Sequence, residues 1–249
     1  MPNTLPLGPI QIPIYSLLIL LSFLIAYYNL HKLWDFEHLD ELLLNLIIGA
    51  FIGARLYYVI FQWDYYQNHP LEIPQIWQGG IAIYGGVIGG TLVLYYYSRK
   101  KHYPSFYALT DLFAPTVLLG QAIGRWGNFF NQEAFGPVVS KTHFTYLPNW
   151  IQEQMLIDGA YRMPTFLYES IPSLIIALFL LYHQFYKPQP EKWNTSIYLI
   201  GYGITRYFIE IQRTDSLMLG PYKVSVLVSI FAVSYGLYLL IQSREVSQL

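Results

Sequence analysis

The 249-residue chain contains no cysteine. That absence excludes disulfides, thiolate metal sites and a cysteine nucleophile, so any thiol chemistry must use a thiol carried by the substrate. Charge is scarce too: only 12% of residues are Asp, Glu, Lys or Arg, about half the share in a soluble domain. Net charge is -1 and no basic block occurs, which argues against a nucleic-acid partner. In place of charge the chain has apolar and aromatic side chains, 54% and 18% of residues, with a mean hydropathy of +0.34. This composition predicts a membrane protein, and the length suits one bundle of helices of about 20 residues each.

Apolar runs between polar or Pro/Gly punctuation predict seven membrane spans, at roughly 12–30, 40–61, 79–97, 108–128, 165–182, 195–211 and 219–241. The first run is expected to remain as a helix, since residues 1–11 carry no Lys or Arg to make the positive start of a signal peptide. Lys32, Arg99, Lys100, Lys101, Lys187, Lys192 and Arg244 all fall on one side of this arrangement. Residues 1–11 and 62–78 have no basic residue, and the other two loops hold Lys141, Arg162 and Arg213. The positive-inside rule then puts the N-terminus outside and the C-terminus in the cytoplasm. The expectation is an all-α integral membrane protein, one domain over residues 1–249, crossing a cell membrane about seven times.

Polar residues at membrane depth are the functional candidates, because each costs ~2.5–3.5 kcal/mol on insertion scales unless it is paired or lines a cavity. The stretch Gly124-Arg125-Trp126-Gly127-Asn128-Phe129-Phe130-Asn131-Gln132-Glu133-Ala134-Phe135-Gly136 puts an Arg, several amides and a Glu at the end of an apolar span. Tyr15, Arg55, Tyr84, Arg125, Asn128, Glu169, Arg206 and Glu210 all fall in the predicted outer halves of their spans, which implies one cavity open to the outer leaflet. Tyr202, Arg206, Glu210 and Arg213 follow helical spacing and are expected on one face. The bland reading is an Arg206–Glu210 ion pair that locks two helices. The functional one is a guanidinium aimed at an anion, since its planar fork donates paired hydrogen bonds and keeps its charge when desolvated.

Gly85/Gly89 and Gly86/Gly90 form two overlapping GxxxG pairs, whose usual work is close helix packing. Tyr84 beside them is a phenol that could reach a ligand past its small neighbours, although a lone interface Tyr often serves only as a membrane anchor. His69, His102 and His143 lack ligand spacing to one another, so neither a metal site nor a cofactor is expected.

The 124–136 stretch resembles the signature of the bacterial prolipoprotein diacylglyceryl transferase family. The resemblance extends to Gly8-Pro9 with Tyr15, Gly53-Ala54-Arg55-Leu56, Gly79-Gly80 through Gly90, Pro164-Thr165 with Leu167-Tyr168-Glu169, and Tyr202-Gly203 with Arg206, Glu210 and Arg213. It implies transfer of a diacylglyceryl group from phosphatidylglycerol to the lipobox cysteine of a prolipoprotein in the cytoplasmic membrane, forming a thioether and releasing glycerol 1-phosphate. Carried onto this chain, it makes Arg125 and Arg206 the phosphate-engaging arginines, with Asn128, Glu133 and Glu210 completing the polar site. Tyr15, Gly136 and Tyr202 match positions the family uses, and Arg55, Glu169 and Arg213 are carried with its other motifs as substrate-binding positions.

Two departures bear on mechanism. Many relatives have His where this chain has Tyr84, and His before Pro164 where it has Met163. An ordinary phenol titrates at about 10 and is poorly matched to deprotonating a thiol at neutral pH. Thiolate stabilisation by arginine is the alternative to a dedicated base. Residues 129–164 are too long for a plain connector and are expected to fold as a small extracytoplasmic cap of short helical or strand pieces that guides the lipoprotein. The competing class is a lipid-binding or transport protein without catalysis. Against it, the sequence shows no internal repeat and no polar cluster at the bilayer midplane.

Overall fold

The computed structural model describes residues 3–7, 10–187, 189–214 and 216–246. The Gly8-Pro9 pair of the resemblance lies outside them. The described residues begin with a hairpin of β1 (Thr4–Leu7) and β2 (Ile10–Pro13), which leads into α1 (Ile14–Leu33). There follow α2 (Leu39–Phe61), the short α3 (Trp63–Tyr66), α4 (Ile83–Ser98) and α5 (Phe106–Asn131). Next come α6 (Asn149–Gln154), a hairpin of β3 (Leu156–Ile157) and β4 (Ala160–Tyr161), α7 (Thr165–Tyr186) and α8 (Trp193–Gln212). A last hairpin of β5 (Met218–Leu219) and β6 (Tyr222–Lys223) opens α9 (Val224–Val246).

The chain is thus mostly helical, and the all-α expectation needs only these small two-stranded pairs added. Each of the seven apolar runs became a helix. Five of them, α1, α2, α5, α7 and the Val224–Ser243 part of α9, are long and apolar enough to cross a membrane. The 16 residues of α4 fall short of the ~20 needed to span, and α8 carries Arg206 and Glu210 within its length.

The two helix starts that differ most from the sequence expectation are those of α4 and α9. Gly79 and Gly80 precede α4 instead of opening it, because both have positive φ (85° and 70°), outside the right-handed helix. Residues 219–223 are likewise not helical. Gly220 turns at φ 58° and the segment pairs as β5–β6, so Lys223 lies before α9.

By contacts the chain forms two compact units, Trp34–Thr110, and Met1–Leu33 together with Asp111–Leu249. In the first, α2 and α4 meet through glycine. A Cβ on Gly53 would stand 2.9 Å from the Gly89 Cα, and Gly85 and Gly89 lie against the carbonyls of Gly53 and Gly49. The 85/89 pair therefore serves helix packing, as small-residue pairs usually do. Its partner on α2, the Gly49/Gly53 pair, was not singled out from the sequence.

In the second unit, α8 is pinned at both ends. The Asp111 carboxylate of α5 accepts the Lys192 and Thr195 amides at 2.5 and 2.7 Å and the Thr195 hydroxyl at 2.6 Å, satisfying N-terminal donors that the helix cannot use itself. At the other end the Lys223 ammonium donates to the carbonyls of Glu210 and Arg213, both at 2.7 Å, as cations do at helix C-termini. Leu118, Ala177 and Leu180 form the dry contact between α5 and α7, with Ile197 and Tyr198 of α8 packed against it. Between α5 and α7, residues 132–164 close over a second core in which Phe144, Ile151, Met155 and Ile157 pack on Phe129 and Phe166.

Candidate functional site

The site is built on the last turns of α5, the first turns of α7 and the last turns of α8. Its centre is Glu169. One carboxylate oxygen accepts Arg125 Nη2 at 2.9 Å and the Tyr202 hydroxyl at 3.0 Å, and the other accepts Arg206 Nη1 at 3.1 Å. Glu169 thus joins three helices through three donors, which a buried carboxylate requires if desolvation is not to expel it. Arg206 also donates Nη2 to Glu210 at 2.5 Å. Glu210 lies one turn along the same helix, so that pair orients a side chain and cannot lock two helices. The interhelical lock is Glu169.

Burial within the cluster is graded. The side chains of Glu169 and Glu210 are 2% and 1% exposed, those of Arg125 and Arg206 17% and 15%. An approaching ligand therefore meets guanidinium edges before it meets carboxylate. The two acids offset the two bases in charge, so the cluster is stable while unliganded. Each guanidinium has five N–H donors, and these bonds fix its plane without using all of them.

A second chain of bonds runs outward from Arg125. Its Nη1 donates to Asn128 Oδ1 at 3.2 Å, and Asn128 Nδ2 donates to Glu133 Oε1 at 2.8 Å. Tyr15 of α1 lies over Gly127, where a Cβ would collide with its ring, and close enough to Arg125 to interact with it electrostatically. Gly136 is similarly enclosed, since a Cβ there would stand 2.9 Å from that of Met163. Gly127→Ala should therefore displace Tyr15 and lower activity by about 10-fold or more, as misplacement near a reacting centre does. Gly120→Ala on the same helix, whose Cβ would meet only Ser22 at 3.8 Å, should stay near wild type in the same assay.

Tyr15, Arg125, Asn128, Glu133, Gly136, Glu169, Tyr202, Arg206 and Glu210 all belong to this one unit. Arg213 leaves the expected helical face: it is the first residue beyond α8, in extended conformation, and its carbonyl is one of those held by Lys223.

Arg55 and Tyr84 belong to the other unit. The Arg55 guanidinium is 6% exposed as a residue and is turned onto backbone carbonyls: Ile73 and Glu72 at 2.7 Å, Gly79 and Gly80 at 2.8 Å. This arginine organises the 72–80 loop and is not presented to an anion, because four of its donors are already bonded. Tyr84 is half-buried on the first turn of α4, with the Tyr57 ring 6.4 Å away. His143 is hydrogen-bonded to the Tyr168 hydroxyl at 2.6 Å.

Asp111 and Lys223 were missed by sequence reading. Asp111 was recoverable as a carboxylate inside an apolar span. Lys223 was hidden by the assumption that its segment was helical.

Known proteins resemble this chain along nearly its whole length. The profile of the prolipoprotein diacylglyceryl transferase family matches residues 2–242. A Streptococcus pneumoniae protein named phosphatidylglycerol–prolipoprotein diacylglyceryl transferase is 43% identical over 251 residues, covering 98% of this chain and 95% of its own. A protein of the same name from Streptococcus equi subsp. zooepidemicus is 45% identical over 238 residues, covering 93% of this chain and 91% of its own.

Proposed function

The chain belongs to the prolipoprotein diacylglyceryl transferase family, and from that premise we infer that it is the membrane transferase that moves diacylglyceryl from phosphatidylglycerol to prolipoprotein. The observation that carries the chemistry is the pair of arginines held side by side by Glu169. In this reading the lipobox thiol gives its proton to water while arginine charge stabilises the thiolate, and its sulfur attacks the glyceryl carbon that bears the phosphodiester. The carbon–sulfur bond forms as the carbon–oxygen bond breaks, and the electron pair leaves on the oxygen of glycerol 1-phosphate. Negative charge grows on that phosphate, and Arg125 and Arg206 are the donors preorganised to receive it. Glu169, Glu210, Asn128 and Glu133 set their planes, and Tyr15, Gly136 and Tyr202 shape the space around them. Arg55 acts by holding backbone in place, and Arg213, whose carbonyl Lys223 holds beyond the end of α8, is assigned to substrate binding. The absence of cysteine fits, since the attacking thiol belongs to the other substrate.

We place the protein in the bacterial cytoplasmic membrane, crossing it about seven times with the N-terminus outside. Residues 1–249 work as one catalytic domain, and residues 129–164 form the extracytoplasmic cap that receives the lipobox segment. Purified protein in detergent, given phosphatidylglycerol and a lipobox peptide, should release glycerol phosphate in step with thioether formation on the peptide. Replacing the peptide cysteine by serine should stop the release. Release that continues without the thiol would mean lipid hydrolysis and overturn transfer.

Tyr84 is assigned a hydrogen bond that places the lipid or the thiol, short of general-base work. Tyr84→Phe should then give a loss smaller than the roughly 10²–10⁴-fold expected for removing a positioned base, with part of it restored by Tyr84→His. Full activity of the Phe variant from about pH 6 to pH 9 would remove any chemical role for the hydroxyl.

A further inference from the structure

We propose that Gln154 is a positioning residue for Arg125, acting from the 129–164 segment through the turn that ends α5. This rests on the reading of Arg125 as a phosphate-engaging side chain. The turn is held in an uncommon shape: Gln132 and Ala134 have φ of 53° and 55°, the left-handed region that non-glycine residues seldom enter, and Glu133 lies between them. Such a backbone persists only where its surroundings over-determine it.

Gln154, 3% exposed, supplies much of that restraint. Its Nε2 donates to the carbonyls of Phe129 and Phe130, both at 3.2 Å, which are last-turn acceptors left without partners inside α5. Its own backbone carbonyl accepts Gln132 Nε2 at 2.7 Å. The two glutamines therefore clamp α6 to the end of α5 in both directions. Thr165 adds a 2.6 Å bond to the Ala134 carbonyl.

What the clamp presents is Glu133. Its amide donates to the Asn128 carbonyl at 3.0 Å while its carboxylate accepts the Asn128 side chain, and Asn128 in turn accepts from Arg125. Three hydrogen-bonded steps, Gln154 to Gln132, Glu133 to Asn128 and Asn128 to Arg125, with the Gln132–Glu133 peptide between the first two, thus connect buried Gln154 of α6 to a guanidinium of the site. Water cannot replace the Gln154 bonds at this burial, so removing the amide takes the donor from the Phe130 carbonyl, leaves the Phe129 carbonyl only the Gln132 backbone amide at 3.2 Å, and lets the turn relax. The arginine plane moves with it.

The test is steady-state kinetics of the purified full-length protein with phosphatidylglycerol and a lipobox peptide. Gln154→Met keeps the length of the side chain and removes its donors. It should lower kcat roughly 10- to 100-fold, the scale of an ångström-sized misplacement, with KM for the peptide changed by less than about 3-fold. Gln132→Met should act in the same direction, and the double variant should lose little more than the larger single loss, because both arms belong to one clamp. Ile151→Val, which trims the same hydrophobic core without touching the clamp, should keep its kcat.

A kcat for Gln154→Met within about 2-fold of wild type, a loss matched by Ile151→Val, or an effect on KM alone would each overturn the proposal. Should Gln154→Met fail to accumulate in membranes, Gln132→Met carries the same test with the same outcomes. Arg125→Ala measured in parallel separates the two readings: an active Arg125→Ala sinks the functional assignment, whereas an inactive one beside an unimpaired Gln154→Met sinks only the link proposed here.

Discussion

Arg206→Ala and Arg125→Ala should each lower kcat/KM by at least about 10²–10³-fold, the range for losing one preorganised donor to a developing oxyanion. The Arg206 loss should be the larger. That arginine bonds both buried carboxylates, Glu169 at 3.1 Å and Glu210 at 2.5 Å, whereas Arg125 bonds one of them. Without Arg206, Glu210 loses its charged partner at a depth where an unpaired carboxylate is costly. Lysine at either position should rescue poorly. Its ammonium is a compact point charge and cannot span Glu169 and a phosphate with the parallel donors of a guanidinium. The check is turnover of the purified variants against peptide and lipid, with membrane insertion followed separately. Near-normal turnover of both lysine variants would mean that charge matters and the planar fork does not.

Glu169→Ala should abolish transfer and also destabilise the protein, which distinguishes this residue from one that only touches substrate. Among the described residues this carboxylate of α7 alone bonds both arginines and Tyr202, which ties α5 and α8 to its own helix. Breaking a buried pair by removing one partner costs about 3–5 kcal/mol. Part of that is recovered here because both guanidiniums reach the surface of the site. Glu169→Gln keeps the shape but exchanges an acceptor oxygen for a donor nitrogen facing an arginine, so it should remain well below wild type. Thermal unfolding in detergent together with the transfer assay reads both effects. A Glu169→Ala protein with unchanged melting temperature would show that the helices are held without this hub.

Much of the helical scaffold could be read from the chain because apolar runs and their breaks report on helices directly. The runs at 40–61 and 195–211 match α2 (Leu39–Phe61) and α8 (Trp193–Gln212) within two residues at each end. Failures came where local backbone conformation overrides the run. Gly79, Gly80 and Gly220 turn through positive φ and shorten two helices. Arg213 falls past the end of α8, so a face projected by helical spacing does not reach it.

Within the site, one-dimensional spacing found Tyr202, Arg206 and Glu210, since i to i+4 contacts are local. The bridge from Glu169 to Arg125 spans 44 positions along the chain, and no periodicity reports it. Arg55 had the same intramembrane signature as Arg125, yet its donors are satisfied by carbonyls of a loop about 20 residues on. The resemblance located motifs in order, but which arginine faces a ligand depends on tertiary partners. Residues 129–164 had no hydrophobic run long enough to announce a core. Their order comes from Phe144, Ile151 and Ile157 meeting aromatic residues of α5 and α7.

The central claim is that Arg125 and Arg206, held by Glu169, form a phosphate site, and binding of the released product tests it most directly. Glycerol 1-phosphate titrated into the detergent-solubilised protein should raise its melting temperature, because a ligand that binds only the folded state stabilises it by mass action. The same titration should leave Arg125→Ala and Arg206→Ala unshifted from their own unliganded values. A stabilisation of equal size in wild type and in both variants would place the phosphate elsewhere and contradict the account.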